Sequence, residues 1–273
     1  MKYNSEEEFL KNYDSSRFDK LSMTADICLL SASDIQKSDY RRTNGKVMSV
    51  LLVKRDDYPY KDKWCLPGGF MRPKDETLEE CANRILKTET NLSNIYLEQL
   101  YTFDSINRDP RLRVVSTSFV ALVDKNLLSE QIKDNASWFD ITLLEDKDNK
   151  VTIVLDNDVE TLKIEIDKHL KEKTTDRYSF KSKTNTLAFD HDIVLLSGVE
   201  RIRNKLDYTD VVFNMMPELF TLGELQQVYE VILGKKLLDP AFRRMIKDKV
   251  EKTDIMKTGE GHRPSYLFRY KHK

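Results

Sequence analysis

The sequence predicts an α/β/α sandwich around a mixed sheet, followed by a smaller helix–helix–hairpin unit. Three observations point there. Apolar, β-branched runs flank one strongly capped helix at about residues 77–90, and a second helical pattern follows at about 192–206. From Thr221 onward the pattern changes to short capped helices and a hairpin.

Taken in order, residues 1–20 are polar and predict a short helix or arm. Ala25–Leu30 and Val47–Val53 read as strands, separated by the polar insertion SASDIQKSDYRRTNGK, whose Asn44–Gly45 pair is a strong turn signal. After the first helix, Ile95–Phe103 and Val114–Val123 again read as strands, with shorter ones at Val151–Leu155 and Thr161–Ile166. The stretches 124–150 and 171–184 read as loops. Leu195, Val199, Ile202 and Leu206 then recur at helical spacing and predict a helix from Asp192 to Leu206. The expected division is a first domain over 1–207 and a second over 208–273.

A chain of 273 residues accommodates one large or two modest domains, each with a core of its own. With 45 basic and 46 acidic residues, the total charge names no partner. Cys28, Cys65 and Cys81 are odd in number and lack metal-ligand spacing. Cys28 and Cys81 lie in apolar-periodic surroundings, which predicts buried thiols in a reducing compartment. The N-terminus is acidic without an apolar stretch, and no run approaches the roughly 18 apolar residues of a membrane span. The expectation is a soluble, cytoplasmic protein.

The segment Leu66–Leu92, LPGGFMRPKDETLEECANRILKTETNL, has the form of a phosphate- and metal-handling loop leading into a helix. Positions 85, 88 and 89 are spaced i, i+3 and i+4 and share one helical face. Mg²⁺ requires oxygen ligands, several of them anionic. Ile85 supplies none, and Thr88 offers a neutral hydroxyl. Glu89 stands alone there, with Glu76 or Asp75 reaching in from the loop. One carboxylate binds Mg²⁺ weakly, so efficient two-metal hydrolysis is not expected. The same residues also fit a plainer reading: Thr77 and Glu80 form a capping box, and Leu78, Ala82, Ile85 and Leu86 pack inward.

Residues 221–273 carry twelve basic and seven acidic side chains, a surplus of five positive charges, against a net of −6 for the remainder. Thr221 and Glu224 form a second capping box, after which Leu222, Leu225, Val228 and Ile232 share a face that ends at Gly234. Asp239–Pro240 reads as an N-cap with proline at the first helical position. The helix that follows buries Phe242, Ile246 and Val250 and groups Arg243, Arg244 and Lys247 on its other side. Thr253–Met256 and Ser265–Tyr270 then read as a hairpin, with His262 and Arg263 near its tip. Helix, turn, basic helix and hairpin compose a winged helix-turn-helix. Its second helix would enter the DNA major groove, and its wing would touch the backbone or minor groove. A solvated basic face, or a winged helix used for protein contacts, would show the same charges.

The loop–helix segment resembles the Nudix box, the signature of enzymes that cleave nucleoside diphosphates linked to another moiety. Gly68, Gly69, Glu76, Arg84, Glu89 and Leu92 match it. Ile85, Thr88 and Asn91 replace two glutamates and the final glycine, and one extra residue after Gly69 leaves Asp75 or Glu76 for the first glutamate position. Together with Asp56–Gly69, Leu97–Phe103, Arg108-Asp109-Pro110-Arg111, Leu187–His191 and Phe220–Gly234 (FTLGELQQVYEVILG), the chain resembles the Nudix-related transcriptional regulators, whose best-known members control NAD metabolism genes. The resemblance implies a Nudix fold and a homodimer on a palindromic operator. It also implies release when the Nudix domain binds ADP-ribose or, in other branches, a sugar. It places Gly68, Gly69 and Arg84 at the old pyrophosphate site, with Glu76 and Glu89 as residual, weak Mg²⁺ ligands. Trp64 and Phe70 either stack on a base or pack beside the loop, and packing is favoured. For His191 a structural hydrogen bond is favoured over catalysis. The alternative function is a Mg²⁺-dependent pyrophosphatase acting on ADP-ribose or a related nucleotide sugar.

Overall fold

A computed structural model describes residues 5–34, 45–91, 93–125, 132–171, 178–258 and 264–271. After a short helix α1 (Glu6–Lys11), the first unit is built on a mixed sheet. Its strands are β1 (Ser22–Asp34), β2 (Lys46–Lys54), β3 (Trp64–Cys65), β4 (Gly68–Phe70), β5 (Tyr96–Phe103), β6 (Val114–Leu122), β7 (Ala136–Glu145), β8 (Lys150–Asp156), β9 (Thr161–Leu170) and β10 (Tyr178–Ser182). Their spatial order is β10-β9-β8-β7-β2-β1-β6-β5, with β3 on β2 and β4 on β1. β1 and β6 run parallel, and the other described pairs are antiparallel.

Helix α2 (Leu78–Thr90) covers one face of this sheet and α3 (His191–Lys205) the other. β1 is therefore apolar on both sides. Ala25, Ile27 and Leu29 meet Cys81, Ala82, Ile85 and Leu86 of α2, while Cys28 and Leu30 meet Val194, Leu195 and Val199 of α3. A strand buried on both faces reads as a continuous apolar run, which is why it is conspicuous in the sequence.

Two stretches expected as loops are strands. Ala136–Glu145 is β7, paired with β2 and β8, and its Phe139 and Ile141 enter the core. The signal is an alternation of only two buried residues interrupted by Asp140, whose carboxylate accepts the Ser49 hydroxyl at 2.6 Å. Tyr178–Ser182 extends the β8–β9 meander as β10. The Asn44–Gly45 turn falls partly outside the described residues.

The C-terminal unit consists of α4 (Leu222–Leu233), α5 (Asp239–Ile246) and the hairpin β11 (Val250–Lys257)–β12 (Ser265–Tyr270). Thr221 and Glu224 form the expected capping box, and Gly234 ends α4 in the left-handed region at φ 68°. The N-cap of α5 is Leu238 rather than Asp239, because the Asp239 carboxylate instead accepts the Gln226 amide at 2.9 Å. The two units share one core. Leu225, Val228, Ile232, Phe242 and Ile246 join the cluster that contains Val50, Leu52, Leu195 and Ile202.

Candidate ligand site and nucleic-acid interface

The loop between β3 and α2 lies against β1. Gly68 and Gly69 pair with Asp26 and Ala25, and the Ile27 amide donates to the Pro67 carbonyl at 2.8 Å. Gly68 is required sterically, since a Cβ there would stand 2.3 Å from Asp26 Oδ1. The Asp26 carboxylate cannot yield. It accepts from Ser116 Oγ at 2.6 Å and from Arg108 Nη2 at 3.1 Å, with His191 Nε2 at 3.6 Å. Arg108 also clasps Asp190 through Nη2 (2.7 Å) and Nε (3.0 Å). Burial opposes the charge on Asp26, yet the His191 ring, the Arg108 guanidinium and the Ser116 hydroxyl together hold it well below the ordinary carboxylate range.

His191 opens α3. Its Nδ1 accepts the Leu66 amide proton at 2.9 Å, which places the ring proton on Nε2, facing Asp26. Burial disfavours a charged ring and Asp26 favours one, but the Leu66 N–H directed at Nδ1 keeps the ring neutral, with its proton on Nε2. His191 is the expected structural hydrogen bond: it fixes the loop just ahead of Gly68.

Among the box residues, Glu76 rather than Asp75 turns inward. Arg84 grips it bidentately, Nε to Oε2 at 2.8 Å and Nη2 to Oε1 at 2.7 Å, and the Arg72 amide donates to Oε1 at 2.8 Å. The Arg84 hydrogen bonds are the main reason that Glu76 is lowered to about 2. Arg84 also donates to the Phe70 carbonyl at 3.1 Å, tying α2 to the glycine loop. Ile85 is buried beneath Gly69, its Cδ1 3.6 Å from where a Cβ would stand. The Thr88 hydroxyl donates back to the Arg84 carbonyl at 2.8 Å. Glu89 pairs with Lys133 at 2.8 Å through Oε1, and its Oε2 is buried without a partner. Asn91 takes the left-handed C-cap at φ 54°, the conformation a glycine supplies in the matching box position.

This donor set does not suit Mg²⁺. Both Glu76 oxygens are engaged by Arg84, Glu89 faces a lysine, and no described group of three or more acidic, histidine or cysteine side chains could hold a metal ion.

Trp64 packs. Its ring meets Phe139 edge-on at 4.9 Å, and its Nε1 donates to Glu160 at 2.8 Å. Phe70 is 41% exposed at the loop's outer rim, with the Arg111 guanidinium 5.2 Å from its ring centroid. Arg111 and Arg55 also lie over Phe189, at 5.9 and 5.0 Å. Of this arginine–aromatic rim only Phe70 was expected from the sequence as a site residue; Arg55, Arg111, Phe189 and the Asp26–Arg108–Asp190 network were not. An acidic residue inside the apolar run TADICLL and the Arg108–Arg111 motif were the available signals.

In the C-terminal unit, α5 buries Phe242 and Ile246 and leaves Arg243, Arg244 and Lys247 exposed. The turn before α5 is held by Glu230, which accepts from the Leu237 amide at 2.9 Å and pairs with Lys236 at 2.6 Å. His262 and Arg263, expected on the wing, lie outside the described residues.

Comparison with known proteins gives this geometry its lineage. The family model of the NUDIX domain matches residues 40–157, and that of the NrtR DNA-binding winged helix domain matches 212–270. The ADPR responsive transcriptional repressor NtrR of Acinetobacter baylyi is 32% identical over 273 residues, covering 98% of this chain and 89% of that one. The chain belongs to the NrtR family. Among solved structures, Shewanella oneidensis NrtR complexed with a 27mer DNA matches with a TM-score of 0.62 at 27% identity, covering 91% of this chain and 93% of that one. A MutT/nudix family protein from Enterococcus faecalis matches with a TM-score of 0.69 at 25% identity, covering 98% and 94%. As expected from the sequence, this NrtR-family chain joins a mixed-sheet Nudix fold to a winged helix. Among its described residues no helix is long and apolar enough to cross a membrane.

Proposed function

We propose that this chain is a cytoplasmic, homodimeric transcriptional regulator that binds an operator through α5 and the wing. Its Nudix domain senses ADP-ribose or a related sugar-type metabolite without cleaving it. The observation that carries the reading is one core holding two complementary parts. One is a Nudix loop whose metal face is closed by Ile85 and by the Arg84–Glu76 pair; the other is a helix that, with its C-cap, presents three exposed basic side chains to solvent. The Acinetobacter relative, described as ADPR-responsive, supports the choice of ligand. The glycine loop would let backbone approach a diphosphate, and the Phe70–Arg111 rim, its guanidinium held by Asp109, offers a flat edge for a base or ribose.

The test is fluorescence anisotropy on the DNA upstream of the chain's own gene, with and without ADP-ribose, followed by analysis of the mixture for AMP. Salt-sensitive binding that intact ADP-ribose reverses is expected. Arg244→Ala should weaken it by about 1–3 kcal/mol if the side chain reads a base, or lower the salt slope by about one if it meets phosphate. AMP formation without specific DNA binding would instead make the chain a hydrolase.

A further inference from the structure

Resting on that regulatory reading, we propose that α3 relays ligand occupancy to the DNA-binding unit as a helix rocking on Gly198. Arg203 is then the positioning residue at its far end. The near end is bonded to the ligand loop. His191 receives the Leu66 amide, and Asp190, just ahead of the helix, is clasped by the Arg108 that also holds Asp26 behind Gly68. The far end is bonded to the winged helix, where Arg203 Nε donates to the Ile232 carbonyl at 2.9 Å. That carbonyl is one of the last in α4 and has no partner within the helix, so a cation there both satisfies it and meets the negative end of the helix dipole. The same guanidinium lies beside Gly234, Nη2 standing 3.7 Å from where a Cβ would be, an ordinary contact distance.

Between these ends, Gly198 is the middle residue of α3 and touches β1 closely. A Cβ at that position would stand 2.7 Å from Cys28 Sγ and 3.1 Å from Cys28 Cβ. The centre of the helix therefore cannot approach the sheet, while its ends, about 20 Å apart at helical rise, are held by side-chain hydrogen bonds that follow a small tilt. Its flanking ties are of the same flexible kind: Arg201 reaches the Leu100 carbonyl at 2.7 Å, and Glu200 reaches Lys168 at 2.7 Å. α4 also packs on β2, but that strand is hydrogen-bonded on both sides by β1 and β7 and cannot shift without carrying the sheet. Helix shifts of about 1–2 Å at such a joint are an ordinary size for a switch.

The experiment compares operator affinity with and without saturating ADP-ribose in the wild-type chain, Arg203→Ala and Arg203→Lys. Arg203 touches neither proposed binding surface, so each ligand's affinity measured alone should stay near wild type, which also verifies folding. The ratio of operator affinities without and with ADP-ribose should fall by about fivefold or more in Arg203→Ala, since couplings of this kind span roughly 5- to 150-fold. Arg203→Lys should recover part of it. A full wild-type ratio in Arg203→Ala would refute the relay alone. A wild-type chain that binds its operator but does not respond to ADP-ribose would refute ADP-ribose as the sensed ligand, and the relay of its occupancy with it, while one that binds no operator would refute the regulatory function.

Discussion

Replacing Arg108 with methionine should be among the costliest single changes in this protein, and its cost should depend on pH in a defined direction. The guanidinium is buried, 3% exposed, and donates to two carboxylates, Asp26 and Asp190. Removing one partner of a buried ion pair typically costs about 3–5 kcal/mol, because the remaining charge is stranded. In the native chain Asp26 is held below its ordinary value, so it contributes stability that is present above about pH 4 and lost as pH falls through the lower native value. With methionine at 108, the His191 ring and the Ser116 hydroxyl still lower Asp26 but the guanidinium no longer does, so its native value rises and the contribution above about pH 4 shrinks. Urea unfolding at pH 3 and pH 8 measures both effects. The loss relative to wild type should reach about 3–5 kcal/mol at pH 8 and be smaller at pH 3, where Asp26 takes up protons in the variant and in the unfolded chain. Adding Asp26→Asn should remove most of the pH dependence. A loss under about 1 kcal/mol, or equal losses at the two pH values, would refute the buried-charge account.

Glu230→Ala removes the acceptor for Leu237 N–H and the partner of Lys236, and should cost about 1.5–3 kcal/mol of stability, read by chemical denaturation. Operator affinity should fall with it, because that turn sets α5. ADP-ribose titrations by calorimetry should give the same affinity in EDTA as in Mg²⁺, since Arg84 already engages both Glu76 oxygens. A strong gain with Mg²⁺ would mean that the pair opens to admit a metal.

What could be read in the sequence was what local pattern dictates. Both capping boxes, the strands of the central sheet, α3 from Leu195, Val199 and Ile202, and the buried thiols at Cys28 and Cys81 stand as expected. β7 escaped because its alternation is short and because its polar Asp140 is satisfied only by Ser49, 91 residues away. The start of α5 slipped by one residue for the same kind of reason: Gln226 claims the Asp239 carboxylate across the helix–turn–helix. In the site, the face at 85, 88 and 89 was legible from spacing alone. That Arg108 would bridge Asp26 and Asp190 depends on residues 82 positions away on either side, and one sequence carries no spacing for that. Arg84 and Glu76 lie close in the chain, but the spacing does not say that they pair with each other rather than face a ligand.

The seam between sheet and winged helix has a practical meaning. Ile232, Phe242 and Ile246 are core residues of the same cluster as Val50 and Leu195, so neither half has a finished surface of its own. Cut near residue 207, each fragment would display a sticky apolar face, and protease digestion of the native chain should not release an intact winged helix. A genetic search for lost operator binding should accordingly return substitutions deep in the sheet, at Val199 or Leu52 for instance, beside those in the recognition helix. The DNA-binding phenotype belongs to the whole chain.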